Sequence, residues 1–357
     1  MNGNFLVFLI LSVIILFAPL WEGGTTYFPL TFIKLLTLIA VARYLIQWLM
    51  AGKIEFCKTP LDKIIIIFLS IAFITTLISP YKNISLQWFY FILNGVIIYY
   101  LALLFIKSVS NIWQLLYIIL LSAFIQTAFA SIQILFCQTD RVCGTFFNPN
   151  FLAGYLSAIL GVLGGIILFP PPFSSKERQK IKIPFLKLPS PHIIIIIVSI
   201  LTFITLILTQ SRGGITAFLL SFLFLFFLKF RVKALIFLPV LLLILLIIPN
   251  PFKNRLRNIS ESDIYAHSRI YIWKESVKMI GEKPWGTGLG IYKYRALSHK
   301  IPNDRAFSRY KKKAIKAHNE YLQLGVELGI AGILVFFTFI FLVLKKAFRA
   351  VDRAQIS

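Results

Sequence analysis

Ten apolar runs, most of them about as long as a bilayer is thick, constrain this chain more than any other feature. They fall at about 4–20, 28–50, 64–79, 87–106, 112–136, 151–169, 192–209, 213–229, 233–249 and 330–344. A membrane span needs about 20 mostly apolar residues. In hydrocarbon every backbone N–H and C=O must be satisfied within the segment, so each run is read as a helix rather than an open strand. Composition agrees. The chain is 58% hydrophobic and 14% charged, where soluble domains are about 45–50% apolar and about 25% charged. The expected fold is an all-α polytopic membrane protein of about 10 transmembrane helices, forming a single integral membrane domain over 1–357. No internal repeat or low-complexity linker is visible. The first run reads as a retained span, because "MNGN" carries no Lys or Arg and "PLWEGG" offers no small-x-small cleavage site.

The net charge of +24 sits in loops rather than on a soluble module, so it points to topology and away from nucleic acid. Loop 51–63 carries Lys53, Lys58 and Lys63, and loop 170–191 carries Lys176, Arg178, Lys180, Lys182 and Lys187. "KFRVK" and "KKAFR" follow later in the chain. With an even number of spans, all four lie on the side of the N-terminus, which the positive-inside rule makes cytoplasmic. Both termini are then cytoplasmic. The opposite side receives a large periplasmic loop at 250–329, between the last two spans, with sixteen Lys/Arg against seven Asp/Glu. A loop longer than about 60 residues translocates largely regardless of charge. Arg141, Arg212, Arg269 and His318 all fall on this outer side.

Those four residues stand in polar segments that a span does not need. "TQSRGG" places Arg212, beside Ser211, between two apolar runs with almost no loop. An arginine near membrane depth is costly and usually faces a cavity or a partner, although snorkelling to the interface is the plainer alternative. In "DRVCGTFFNPNFLAGYL", Asn148, Pro149 and Asn150 form a turn that can cap a helix starting near Phe151. Ile270, Trp273, Val277 and Ile280 recur at helical spacing and mark an amphipathic helix over about 268–280, with Arg269 in its first turn. "KPWGTGLG" is a glycine-rich turn but no nucleotide fingerprint. His318, followed by Asn319 and Glu320, stands where the basic segment meets the last span, and imidazole titrates near neutral pH. Glu320 and Glu327 are read as partners for the basic residues of the loop.

No metal motif and no Walker A sequence is present, so neither a metal nor a nucleotide cofactor is expected. The three cysteines, Cys57, Cys137 and Cys143, include no CxxC pair. Cys137 and Cys143 read either as a disulfide in an oxidising compartment or as two thiols near a span end. What remains is arginine clamping of a phosphate or diphosphate, with a histidine nearby.

Together these segments resemble the O-antigen ligase family, the Wzy-C-type membrane glycosyltransferases. The family pattern of His, then Asn/Ser/Gln, nine residues, Gly, two residues, then Gly/Thr/Tyr is met by His318-Asn319, Gly329 and Gly332. "TQSRGG" is similar to the family's Ser-Arg motif. "GTFFNPNFLAGYL" is similar to its Asn-containing segment, and "SRIYIWKESVKMIGEKPWGTGLG" to its Arg-x-x-x-Trp helix and Pro-x-Gly-x-Gly turn. The resemblance runs from about 141 to 344.

It implies a GT-C-like, inverting, metal-independent glycosyltransferase of the bacterial inner membrane, with its active site facing the periplasm and short helices in the large loop. The implied donor is a glycan on undecaprenyl diphosphate. The implied acceptor is a sugar hydroxyl of lipid A–core, as in lipopolysaccharide biosynthesis, or another lipid-linked repeat unit if the chain is an O-antigen polymerase. By the same resemblance His318, Arg212 and Arg269 would be catalytic, and Arg141, Asn150, Ser211 and Asn319 would bind substrate. Ligases commonly have about two more spans. This chain therefore reads as a short member or as one lacking its C-terminus, and without a soluble C-terminal domain it fits the protein O-oligosaccharyltransferase branch poorly. A lipid-linked oligosaccharide flippase is disfavoured by the nearly uncharged span interiors. A peptidoglycan-polymerising transferase would be expected to need an acidic residue in the loop.

Overall fold

A computed structural model describes residues 3–24, 26–52, 57–169, 191–231, 264–299 and 315–356. The described residues form helices joined by turns. These are α1 (Gly3–Leu20), α2 (Tyr27–Ala51), α3 (Asp62–Leu77), α4 (Lys82–Phe105), α5 (Val109–Leu135) and α6 (Pro149–Leu168). They continue with α7 (Pro191–Leu208), α8 (Arg212–Phe230), α9 (Ile264–Glu282), α10 (Tyr292–Ser298) and α11 (Glu320–Ile356). Nine of the ten apolar runs lie on helices, and the run at 233–249 falls outside the described residues. Among the described residues six helices are long and apolar enough to cross a membrane: α2, α4, α5, α6, α8 and α11. Two shorter apolar stretches, Phe5–Leu20 and Ile193–Leu208, lie in α1 and α7. The chain is thus a helical membrane protein. Its contacts divide it into two compact units, one of Met1–Glu55 with Leu101–Asn258, the other of Phe56–Tyr100 with Ile259–Ser357.

In the first unit, α5 buries Trp113, Leu116, Leu120, Ala123, Gln126 and Ala130, a row at three- and four-residue spacing. The row faces α6 and α7 through Leu156, Ile159, Leu163, Ile195 and Leu206. Lipid is as apolar as leucine, so close packing has to bring these helices together, and small residues allow it. The helix α6 turns Ala153, Ser157 and Gly161 toward α8. A Cβ on Gly214 would lie 2.5 Å from the Ala153 Cβ, and the Ser157 hydroxyl donates to the Gly214 carbonyl at 2.7 Å.

In the second unit, α11 packs against α3 and α9. This helix is two rods rather than one. At Gly329 the backbone turns to φ 75, ψ −173, a region essentially reserved for glycine. In a straight helix Tyr321 and Phe337 would stand about 24 Å apart along the axis. Their rings instead stack with centroids 5.0 Å apart and planes 2° from parallel. Residues 320–328 therefore fold back against the rod that continues from Ile330, which is where the last apolar run of the sequence begins.

The turn after α9 makes this kink. The amides of Thr287 and Gly288 donate to the Glu327 carbonyl at 3.1 and 2.9 Å, and the Ile330 amide donates to the Pro284 carbonyl at 2.8 Å. The turn thus takes over hydrogen bonds that a continuous helix would make. A Cβ on Gly286 would lie 2.7 Å from three backbone atoms of Glu327, Leu328 and Gly329. The Pro-x-Gly-x-Gly turn and Gly329 are two faces of one backbone contact.

The helix over about 268–280 begins earlier than expected, at Ile264, so Arg269 is in its second turn rather than its first. Its buried face also differs from the one its spacing suggested. Ile272, Glu275, Ser276 and Met279 are buried, while Ile270 and Val277 are 51% and 58% exposed. The reason is packing. Small Ser276 lets the Tyr292 hydroxyl of α10 approach to 2.7 Å, and Met279 fills the space among Tyr292, Ala296 and Val326. No disulfide joins Cys137 and Cys143.

Candidate active site

The candidate residues form one group in each unit. In the first unit, "DRVCGTFFNPN" lies against "TQSRGG". The Arg141 Nε donates to the Thr209 carbonyl at 2.9 Å and its Nη2 to the Asn150 Oδ1 at 3.2 Å. The Gln210 side-chain Nε2 donates to the Asp140 carbonyl at 2.6 Å. Each segment ends in a capped helix. The Asn148 side chain accepts from the Asn150 N–H at 2.8 Å, with Pro149 at the first helical position, where its missing N–H costs nothing. The buried Ser211 hydroxyl accepts from the Gly214 N–H at 3.3 Å. Arg212 is therefore the first residue of α8, where a cation opposes the helix dipole.

Two glutamines of α5 hold the upstream segment in place. Gln126, fully buried, donates to the Pro19 carbonyl at 2.7 Å and the Thr145 hydroxyl at 2.6 Å, and accepts from the Thr145 N–H at 3.0 Å. Gln133 accepts from the amides of Cys143 and Gly144 at 2.9 and 3.0 Å and donates to the Gly144 carbonyl at 2.8 Å. Seven residues apart, they share one face of the helix. Both escaped the sequence reading. The signal was available: two amides in an apolar run are costly unless they have partners.

In the second unit, His318 and Asn319 lead into α11, close enough to Arg269 for its charge to act on the histidine. Trp273 stands one helical turn beyond Arg269, and its indole N–H donates to the Ala317 carbonyl at 3.0 Å. That bond fixes the chain just before His318 against the helix that carries Arg269. Asn319 caps α11, its side-chain oxygen accepting from Tyr321 and Leu322 amides at 3.0 and 3.2 Å. Between these anchors His318 adopts φ 52, a left-handed conformation that few non-glycine residues take. Its side chain is exposed. Partial desolvation by the surrounding protein, then the positive charges of Arg269 and Lys316, lower its pKa from the ordinary 6.5. The imidazole is therefore neutral at neutral pH, with a lone pair available to accept a proton.

Among the described residues Glu327 pairs with none of the basic residues expected of it. Its buried carboxylate accepts from the Gly290 and Tyr292 amides at 2.8 and 3.4 Å and from the Gln323 side chain at 3.3 Å. The acid serves the glycine-rich turn.

Chemically, the arrangement can offer guanidinium groups to an anion and a neutral imidazole to a proton. A protein-family model described as O-antigen ligase matches residues 197–337. The match takes in Arg212, Arg269 and His318, while Arg141 and Asn150 lie upstream of it. No curated protein matches the chain. Over residues 197–337 the chain is thus similar to the O-antigen ligase family, which supports its assignment there.

Proposed function

We propose that this protein is an O-antigen ligase-type membrane glycosyltransferase. It moves a glycan from undecaprenyl diphosphate to a sugar hydroxyl of lipid A–core at the periplasmic face of the bacterial inner membrane. The observation that carries this reading is His318, neutral and held in a left-handed conformation beside Arg269, inside the region that matches the family.

In the proposed step the acceptor oxygen attacks the anomeric carbon of the donor sugar with inversion. The bond from that carbon to the diphosphate oxygen breaks. The hydroxyl proton passes to His318, and undecaprenyl diphosphate leaves with the bonding electrons. Charge grows on the leaving diphosphate as that bond stretches, so a fixed guanidinium stabilises the transition state more than the ground state. Arg269 and Arg212 are assigned to donor phosphate. For Arg269 a second effect follows, since its charge adds to desolvation in favouring the deprotonated His318 that can act as a general base. Arg141, Asn150, Ser211 and Asn319 hold the two motif segments in shape and are proposed to line the substrate's path. The bilayer part of this reading is a GT-C-like bundle of about ten spans, with both termini cytoplasmic and 250–329 on the periplasmic side.

The test supplies purified protein with undecaprenyl-diphosphate glycan and lipid A–core, without metal or nucleotide. Capped lipid A–core is the expected product, and His318→Ala abolishes it. Lengthened lipid-linked glycan instead identifies an O-antigen polymerase. Near-wild-type turnover by His318→Ala removes the base from the mechanism.

A further inference from the structure

We propose that Glu327 and Gln323 are positioning residues for the proposed transfer, holding His318 against Arg269 by fixing the peptide of Ala317. This role rests on the function just assigned to His318. The geometry on which it stands is independent of that function.

Glu327 is 6% exposed, and its three contacts are all with N–H donors: Gly290, Tyr292 and the Gln323 amide. A group that only accepts dictates the orientation of an amide beside it. With its NH2 turned to Glu327, Gln323 presents its oxygen the other way, and that oxygen accepts from the Ala317 N–H at 3.4 Å. The other side of Ala317, its carbonyl, is held by Trp273 at 3.0 Å. Ala317 is fully buried. Its N–H is thus tied to α11 and its C=O to α9. The next residue, His318, inherits a fixed starting point, and Asn319 fixes its other side through the cap. A strained φ persists where the surroundings over-determine it. At 3.3 and 3.4 Å the Gln323 contacts are long, so their contribution is to direction more than to stability.

The arrangement also couples two motifs that lie far apart in sequence. Glu327 grips the turn over Gly290 and Tyr292 with its carboxylate, while its carbonyl receives Thr287 and Gly288. Through Gln323 the same residue reaches the segment of His318. Movement of the glycine-rich turn is thereby linked to the position of the histidine.

The test compares Glu327→Gln, Gln323→Met and the exchanged pair Gln323→Glu/Glu327→Gln in the full chain. A purely structural role changes how much protein folds. A positioning role changes the electrostatic surroundings of His318 in the protein that does fold. Besides desolvation, the charged groups acting on that ring among the described residues are Arg269 from α9 and Lys316 from its own segment. Released from Ala317, the ring leaves Arg269, and its titration midpoint rises toward the ordinary value.

Nitrogen NMR of the imidazoles reads that midpoint directly, with His318→Ala assigning its signal among the four histidines. Expected are an upward shift in both single variants and a ~10–100-fold fall in turnover at little change in donor KM, the scale of loss from a small misplacement. The exchanged pair recovers part of the turnover but not the midpoint, because a carboxylate at 323 still accepts from Ala317 and the amide oxygen at 327 still accepts from Gly290, while the new negative charge itself favours the protonated ring. If Glu327→Gln does not fold, Gln323→Met decides alone. Folded single variants with an unmoved midpoint overturn the proposal. Should the wild type transfer no glycan, the functional reading falls, and the NMR midpoints still decide whether Glu327 and Gln323 position the histidine.

Discussion

His318 is held in a backbone conformation that its own Cβ resists, and two predictions follow at that scale. A left-handed L-residue costs about 1–2 kcal/mol relative to glycine. Replacing His318 by glycine should therefore keep or raise the thermal midpoint while abolishing transfer. Stability and activity would move in opposite directions, as expected where strain is retained for function. A lower midpoint would mean that the imidazole stabilises the fold. The second prediction concerns pH. Desolvation and the Arg269 and Lys316 charges lower the His318 pKa from 6.5. A base must be deprotonated to act, so kcat/KM should fall on the acid side, with its inflection below 6.5. Removing a positive neighbour favours the protonated ring, so Arg269→Gln should move that inflection upward. A pH–rate series on both proteins checks the sign, and a downward or absent shift shows that Arg269 does not act on His318. Sequence alone marked His318, Arg269 and Arg212, because each is a charged or titratable side chain in a segment that needs none. It could not show φ 52, which arises from bonds to residues distant in sequence.

At the scale of elements, hydropathy was legible and packing was not. A long apolar run in lipid has only a helix available to it, so the boundaries of α1 to α8 lie within a few residues of the runs that announced them. The helix α9 failed in an instructive way. Its 3.6-residue period was correct, yet Ile272, Ser276 and Met279 are buried rather than Ile270 and Val277. Which stripe faces inward depends on the neighbours, here Tyr292 and Val326. The kink of α11 was marked only by Gly329, whose φ of 75 comes from its contact with Pro284, Trp285 and Gly286. That contact gives an element-scale prediction. A Cβ on Gly329 would lie 2.3 Å from the Pro284 carbonyl oxygen in a conformation that alanine avoids. Gly329→Ala should therefore destabilise by roughly 2–3 kcal/mol or more, within the range where strain and overpacking combine, read as a lowered thermal midpoint in detergent. By contrast Trp273→Phe keeps the ring and removes only the indole N–H to Ala317, a loss of about 1 kcal/mol. Its larger effect should be on kcat, since that bond sits next to His318. If Trp273→Phe instead leaves kcat unchanged, the indole does not control the histidine.

For the whole molecule, the arrangement of charge makes the prediction. The basic loops at 51–63, 170–191 and 229–233 and the tail after 344 share one side only if the number of spans between each pair is even. The ten runs satisfy this, and the six helices long enough to cross among the described residues all carry one of them. Short loops with excess Lys and Arg stay cytoplasmic. The segment 250–329 is basic too, yet it is long enough to cross regardless. Net charge cannot separate these two cases, whereas loop length can. The prediction is made with a chain whose own cysteines, Cys57, Cys137 and Cys143, are replaced and single cysteines are placed near Lys180 and Lys311. Both positions lie outside the described residues, so the expectation rests on charge and span parity alone. In intact cells a membrane-impermeant thiol reagent should reach the probe near Lys311 and should miss the one near Lys180 until the membrane is opened. Labelling near Lys180 in intact cells would invert the topology. It would also turn the segment with His318 and Arg269 toward the cytoplasm, where a periplasmic acceptor could not arrive. Labelling at neither site before the membrane is opened would place both segments inside. The number of spans between 180 and 311 would then be even, as it is when the run at 233–249 does not cross, and a third probe near Arg231 would decide it, since only that run lies between Arg231 and the segment that begins at 250.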